Sequence, residues 1–371
     1  MTAYAFLVAI TFIAHIFYRY RYLSRHHLRD INDEFNYELA HEKIERKTIT
    51  FFFMLYVLLL GLRDIMVGID TRSYYTFFNK LQYMDWRSVF TSTADEFGFS
   101  IITKFIGTIT NSPQVYIFIL AVISVLPLMY LYRNEAKDAL LCCSFFLISL
   151  LFEAFFSALR EGVALGLVAP AYYFARQKKL IPFILTVLLA SSFHLSALIL
   201  VVLYPIYHAK ITFKWLWFVV PAMLVIYRYN ALIFNTLLVT MGGKYANKYL
   251  IYGYNATGQY GLLILFILIS IYCFVIMDET QANEDDIGLR NILLLATALQ
   301  LFAPLHVLAS RINYYFIIFI PIALTRTNAK RKKMFKQVVT LAKYIMVAYF
   351  IFYFFFMKGD TLQIMNYSFF F

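Results

Sequence analysis

Apolar residues in this chain come in long, nearly unbroken runs, not in the spaced stripe of an amphipathic core helix. Twelve runs stand out, at 2–18, 48–62, 113–132, 139–158, 162–175, 181–192, 195–208, 215–227, 259–277, 288–308, 312–324 and 338–357. Runs of this kind predict an all-α fold, a polytopic membrane protein with about 12 hydrophobic segments in a single multi-span domain over 1–371. Several runs are shorter than the roughly 20 residues a straight helix needs to cross about 30 Å of hydrocarbon. The shortest, 181–192, has the length of a half-span helix dipping in from one face.

That short run sets the predicted topology. If 181–208 were one crossing, everything after it would flip. The tract Arg326-Thr327-Asn328-Ala329-Lys330-Arg331-Lys332-Lys333 would then face outward, against the positive-inside rule. Two segments turning at His194 instead collect about two thirds of the 33 Lys and Arg on one side, the cytoplasm. Both ends of the chain and the two long polar intervals, 63–112 and 228–258, then face out. The run 2–18 lacks a basic n-region and a small-residue cleavage site, so it reads as a retained anchor.

Composition supports this reading. With 62% hydrophobic and only 15% charged residues, a soluble domain of 371 residues is excluded. The net charge of +12 then belongs to cytoplasmic loops and implies no nucleic acid. Cys142, Cys143 and Cys273 lie inside apolar runs and predict packing, with no disulfide and no metal site.

The interval 19–47 is mixed in charge, with acids early and bases late across 31–46, as a helix lying on anionic lipid headgroups would be. In 63–112, aromatic residues recur at helical spacing over 74–90 and predict an interfacial helix; the apolar stretch 101–109 is too short to span. The interval 228–258 carries Gly242, Gly243, Gly253 and Gly258 among tyrosines and reads as a lid-like loop. The acidic run 278–286 lacks calcium-loop spacing and reads as a solvated turn. The 30 Tyr and 39 Phe are best read as lipid-facing and helix-packing residues, with a groove for sugar rings or a lipid chain as the alternative.

Under this topology Arg63, Asp70, Arg160, His194 and Arg311 meet at the outer membrane boundary, where ionisable groups are costly unless paired or wet. An arginine fork suits a diphosphate because it donates paired bonds and stays charged. Taken singly, each arginine is better explained by snorkelling or a nearby carboxylate; Glu161 adjoins Arg160, whereas no acid adjoins Arg311. His194 suits a neutral strut, a phosphate contact or a proton carrier. Asp70 and Glu96 are the outer carboxylates placed to act as general bases, with helix capping or ion pairing as their structural alternatives. No P-loop, dinucleotide fingerprint, Gly-x-Ser-x-Gly or zinc-helix motif occurs.

The series Leu62-Arg63-Asp64-Ile65-x-Val67-Gly68-Ile69-Asp70-Thr71-x-x-Tyr74 resembles the hallmark of the EpsG family, exopolysaccharide and O-antigen polymerases of Wzy type. Glu96-x-Gly98-Phe99, Ser157-x-x-Arg160, Phe193-His194-x-Ser196-Ala197 and Arg311-Ile312-x-x-Tyr315 follow in the family's order. The resemblance implies glycosyl transfer outside the cytoplasmic membrane between repeat units carried on undecaprenyl diphosphate, with no cofactor and no nucleotide sugar. It implies Arg63, Arg160 and Arg311 on the diphosphates, Tyr74 and Tyr315 at the substrate, and Asp70, His194 and Glu96 in catalysis. Membrane lipid, a chain-length regulator and a flippase are the partners such a polymerase would have.

Three other activities compete. A flippase of the same lipid-linked oligosaccharide would need outward arginines too, but its polar groups belong near the midplane between related halves, and no repeat is present. An O-antigen ligase shares the donor chemistry. A membrane O-acyltransferase would need its histidine on the inner side, opposite to where His194 falls.

Overall fold

The computed structural model describes residues 2–25, 34–92, 96–149, 151–240, 259–277, 282–305, 307–329 and 362–371, with positions 341, 345, 348, 349 and 352. Among the described residues every named element is helical, and backbone pairing of β type is confined to an isolated bridge between Arg63 and Phe369. Three helices are long and apolar enough to cross a membrane: Ala3–Tyr22, Pro113–Glu135 and Phe213–Thr236. A bent pair, Ala139–Ile148 with Leu151–Ser157, raises this to four. The protein is an all-helical membrane protein, but its twelve apolar runs do not map one to one onto long helices.

Contacts divide the chain into two units, Met1–Leu198 with Arg331–Phe371, and Ile199–Lys330. The first unit holds α1 (Thr2–Arg25), α2 (Glu34–Gly61), α3 (Thr71–Tyr83), α4 (Trp86–Ser92), α5 (Phe97–Ile109) and α6 (Pro113–Glu135). It continues with α7 (Ala139–Ile148), α8 (Leu151–Ser157), α9 (Leu159–Gly166), α10 (Val168–Arg176) and α11 (Leu180–Phe193). Helix α2 packs on α1 and α6, and α6 also packs on α9.

Rings hold this unit together. Phe52, Phe53 and Tyr56 of α2 are fully buried with Tyr4 of α1, Phe146 of α7, and Phe152 and Phe156 of α8. They meet edge to face, with centroids 5.0 Å apart for Phe53–Phe146 and 5.4 Å for Tyr4–Phe152. Helices in lipid gain little from hiding apolar surface from each other, so close packing has to drive their association. Edge-to-face pairs contribute about 0.5–1.5 kcal/mol each beyond area burial. Much of the aromatic content is therefore helix-packing.

Local chemistry sets the helix ends. Ser112 accepts from the Val115 amide at the start of α6, and Pro113 follows at the first helical position, where a missing N–H costs nothing. Asp138 caps α7 in the same way. The run 139–158 breaks at Ser149, where the backbone turns extended and the hydroxyl returns to the Phe146 carbonyl at 2.8 Å. The break predicted at His194 is present. Helix α11 ends at Phe193, His194 is extended (φ −153°, ψ 120°), and a 3₁₀ helix, Leu195–Val202, follows.

Other boundaries differ from the expectation. The helix foreseen across 31–46 is continuous with the next apolar run, forming α2 from Glu34 on; residues 26–33 lie outside the described residues. The helix foreseen over 74–90 is two, α3 and α4, divided where Asp85 accepts from the Ser88 amide and caps the second. Residues 101–109 form most of α5.

The second unit contains α12 (Leu203–His208), α13 (Leu216–Thr240), α14 (Tyr260–Ile276), α15 (Glu284–Gln300), α16 (Val307–Ile317) and α17 (Ile320–Ala329). Helix α13 runs through Arg228 to Thr240, so the outer interval expected from 228 begins as helix, because apolar residues resume at Ala231-Leu232-Ile233-Phe234. The rest of that lid-like loop, 241–258, lies outside the described residues, as does most of 338–357. The acidic run ends as a helix start: Asn283 caps α15, and Glu284, Asp285 and Asp286 fill its first turn, where acids oppose the helix dipole.

Candidate active site

The tightest gathering of chemistry in the first unit forms where α5 begins and α11 ends. Gly98, in the first turn of α5, lies so close to Ser192, in the last turn of α11, that no side chain fits between them. This approach carries Glu96, two residues before Gly98, onto His194, two residues after Ser192. Glu96 Oε1 and His194 Nδ1 are 2.7 Å apart. The other carboxylate oxygen accepts from Arg160, near the start of α9. Arg160 also engages the Tyr74 hydroxyl of α3.

A ring-rich floor holds the four in place. Phe99 lies against Phe77 and Tyr74, and Phe78 stacks on Tyr116 with centroids 4.6 Å apart. Leu159 and Val163 of α9 complete the same buried cluster, so α3, α5, α6 and α9 are fixed together below the polar groups.

The electrostatics assign the protons. Burial alone would raise the Glu96 carboxyl, but the hydrogen bond from His194 and the Arg160 charge outweigh it and hold it below the usual carboxylate range. An ionised carboxylate only accepts, so His194 donates from Nδ1 and a neutral ring keeps its lone pair on Nε2. Among the described residues Nε2 has no partner. The Arg160 side chain is 48% exposed, against 17% for Glu96 and 23% for His194. An outward-facing cation thus sits beside an available base, both anchored by one carboxylate.

The EpsG family model matches residues 46–369. The chain belongs to the EpsG family. No curated protein and no solved structure matches it. The family points to a polysaccharide polymerase-type function, a glycosyltransferase-like activity in a membrane protein.

The structure distributes the sequence-predicted residues of this EpsG-family chain unevenly. Tyr74, Glu96, Arg160 and His194 come together. Glu161, the acid adjacent to Arg160, is buried, and the partner of Arg160 is Glu96. Asp70 stands at the N-cap position of α3, four residues before Tyr74, yet its side chain makes no capping bond. Its charge acts on Tyr74. Glu96 likewise stands at a cap position without capping; ion pairing occupies it. Arg63 is fully buried, with Phe156 5.5 Å from its guanidinium and Tyr4, Tyr56, Tyr75 and Tyr367 around it. Arg311 and Tyr315 belong to the second unit, on α16, with Tyr315 fully buried. Among the described residues no three His, Cys, Asp or Glu gather as metal ligands.

Sequence reading missed two contributors. Gln114 accepts from the Tyr75 hydroxyl and donates to the carbonyls of Gly61 (2.6 Å) and Arg63 (3.2 Å), joining α3, α6 and the motif loop. Segment 362–371 pairs with that loop: Gly68 N–H donates to Gln363 and Ile69 N–H to Leu362. For Gln114, its place after the proline that opens α6 was the available signal; for the segment there was none.

Proposed function

We propose that the protein joins oligosaccharide repeat units carried on undecaprenyl diphosphate, at the outer face of the cytoplasmic membrane. The observation that carries this reading is the Glu96 carboxylate shared between His194 and Arg160. Joining two such units requires an acceptor hydroxyl to lose a proton and a diphosphate to gain charge. His194 Nε2 takes that proton as the acceptor oxygen bonds to the anomeric carbon. The bond from that carbon to the phosphate oxygen breaks, and the electron pair leaves with undecaprenyl diphosphate.

Arg160 meets the developing charge. Its remaining N–H groups donate to the diphosphate, an interaction that strengthens in the transition state. Glu96 is a positioning residue: it fixes the His194 tautomer and tethers the Arg160 fork. Tyr74 holds Arg160 from the other side, and Asp70, whose charge acts on Tyr74, serves as base or orienter. The His194 proton passes to water after product leaves.

The reading is tested by replacing Arg160 with Ala and Lys, and His194 with Gln, in the native host. Surface polysaccharide is resolved on a gel, with protein level checked. The expected result is loss of the ladder with single capped units surviving at the surface. Units accumulating on the cytoplasmic face would make the protein a flippase, and an unchanged ladder would overturn the site.

A further inference from the structure

Gln363 is one of two non-glycine residues, among the described ones, whose backbone is left-handed, at φ +54°. A side chain crowds the following carbonyl in that conformation, so it persists only where the surroundings over-determine it. Here they do. Segment 362–371 buries Ile364 and Met365, and the hydroxyls of Tyr4 and Tyr367 donate to the carbonyls of Ile364 (2.7 Å) and Leu59 (2.9 Å). Asp64 N–H donates to the Ser368 carbonyl at 2.9 Å, and Phe370 N–H to that of Leu62 at 3.1 Å. The segment is a fixed part of the first unit.

Its left-handed residue meets another. The Gln363 carbonyl accepts from the amide of Gly68 (2.9 Å), at φ +91°, and the Leu362 carbonyl from that of Ile69 (3.0 Å). A Cβ on Gly68 would stand 2.4 Å from the Phe156 carbonyl oxygen, so the loop backbone rests directly on the last turn of α8. Thr71 Oγ1, bonded to the Val67 carbonyl at 2.7 Å, reaches the same Phe156 oxygen at 3.5 Å. Two elements thus hold this turn: the end of α8 as a seat, and Leu362 with Gln363 by hydrogen bonds.

Both contacts lead into the site. The turn opens α3, where the Tyr74 amide donates to the Asp70 carbonyl and the Tyr74 hydroxyl engages Arg160. Phe156 precedes Arg160 by four residues, across the junction of α8 and α9. How the turn sits on Phe156 therefore sets how Tyr74 meets Arg160, and a slip of about 1 Å takes such a bond out of range.

We propose that Leu362 and Gln363 are positioning residues, a brace whose carbonyls hold the Gly68–Thr71 turn on Phe156 and so keep Tyr74 on Arg160. The inference rests on the polymerase reading only where polymer is read.

The test uses purified full-length protein, without substrate, and follows the reaction of Arg160 with phenylglyoxal by peptide mass well below the unfolding midpoint. Tyr74→Phe sets the scale, because it takes the hydroxyl off Arg160. Gln363→Val, β-branched and disfavoured at positive φ, should raise Arg160 labelling toward that level and lower polymer yield in the native host about tenfold or more. Gln363→Gly, which adopts the left-handed backbone without steric cost, should match the parent in both. In a Tyr74→Phe background, Gln363→Val should add nothing to the labelling. A segment that only stabilised the fold would lower the unfolding midpoint without these results. Parent-like labelling in a folded Gln363→Val protein, glycine as damaging as valine, or additivity with Tyr74→Phe overturns the proposal. If Gln363→Val does not fold, Tyr4→Phe with Tyr367→Phe loosens the segment and leaves its backbone intact; labelling should rise, and no rise overturns the proposal. A labelling response with unchanged polymer yield upholds the brace and counts instead against the polymerase site.

Discussion

Gly98→Ala tests how the site is assembled, because two physical effects predict opposite signs. Alanine is the better helix former by about 1 kcal/mol in a helix interior, so in an open position the change would stabilise α5. Position 98 is not open. A Cβ there would overlap Ser192 Oγ and lie 2.9 Å from Ser192 Cβ and 3.0 Å from its carbonyl oxygen. The hydroxyl can rotate away; the Cβ and the carbonyl move only with α11. Overpacking of this kind costs about 1–3 kcal/mol, so net destabilisation is expected. The helices must part between Glu96 and His194, and an opening of about 1 Å takes their 2.7 Å bond out of hydrogen-bond range. Misplacement on that scale costs on the order of 10²-fold in rate. The assay pairs thermal unfolding of the purified protein with polymer yield, and adds Gly98→Ala with Ser192→Gly, which removes both side-chain obstructions and should restore most of the loss. A Gly98→Ala protein as stable and active as the parent would refute this account of the contact.

Gly68→Ala places a side chain at φ +91° and against the Phe156 carbonyl, so it should lower stability by about 1–3 kcal/mol in thermal unfolding, with no rescue by other small residues. Glu96 is held below the usual carboxylate range, so its pairs contribute above about pH 4 and are lost as pH falls through the lowered value. The parent's unfolding midpoint should accordingly drop more steeply between about pH 5 and pH 3 than that of Glu96→Gln. In a polymer-yield cycle, Glu96→Gln and Arg160→Ala should be strongly non-additive, the double variant being little worse than the more damaging single one, whereas simple addition would mean that the two act independently.

The break at His194 was legible because a charge-balance argument along the whole chain required it, and helix α11 ends there. Arg160, Glu96 and His194 were legible as candidates from residue type and position. Their mutual arrangement was not, since it depends on Gly98 meeting Ser192, a contact between residues 94 apart in sequence. The neighbouring acid, Glu161, was the plausible partner for Arg160 on a linear reading. Adjacent residues on a helix point in different directions, however, and the pair forms with Glu96 from another helix. Apolar runs likewise gave helix positions without helix lengths: Ser149 at the end of α7 and Asp85 at the start of α4 set helix boundaries through single side-chain bonds that hydropathy does not register.

Arg63 and Arg160, two of the three arginines that read alike in sequence, differ in what surrounds them. Both follow an apolar run, and in sequence both read as phosphate ligands. Arg160 keeps a half-exposed fork, with one nitrogen on the Glu96 carboxylate and a further contact to the Tyr74 hydroxyl. Arg63 is enclosed by tyrosines and by segment 362–371, and among the described residues no carboxylate pairs with it. An arginine paired to an anchored acid is preorganised, so its hydrogen bonds to a phosphate cost little further ordering. Arg160 is thus the cation placed to meet charge in the proposed reaction, Arg63 is a buried one, and the difference follows from what surrounds each guanidinium.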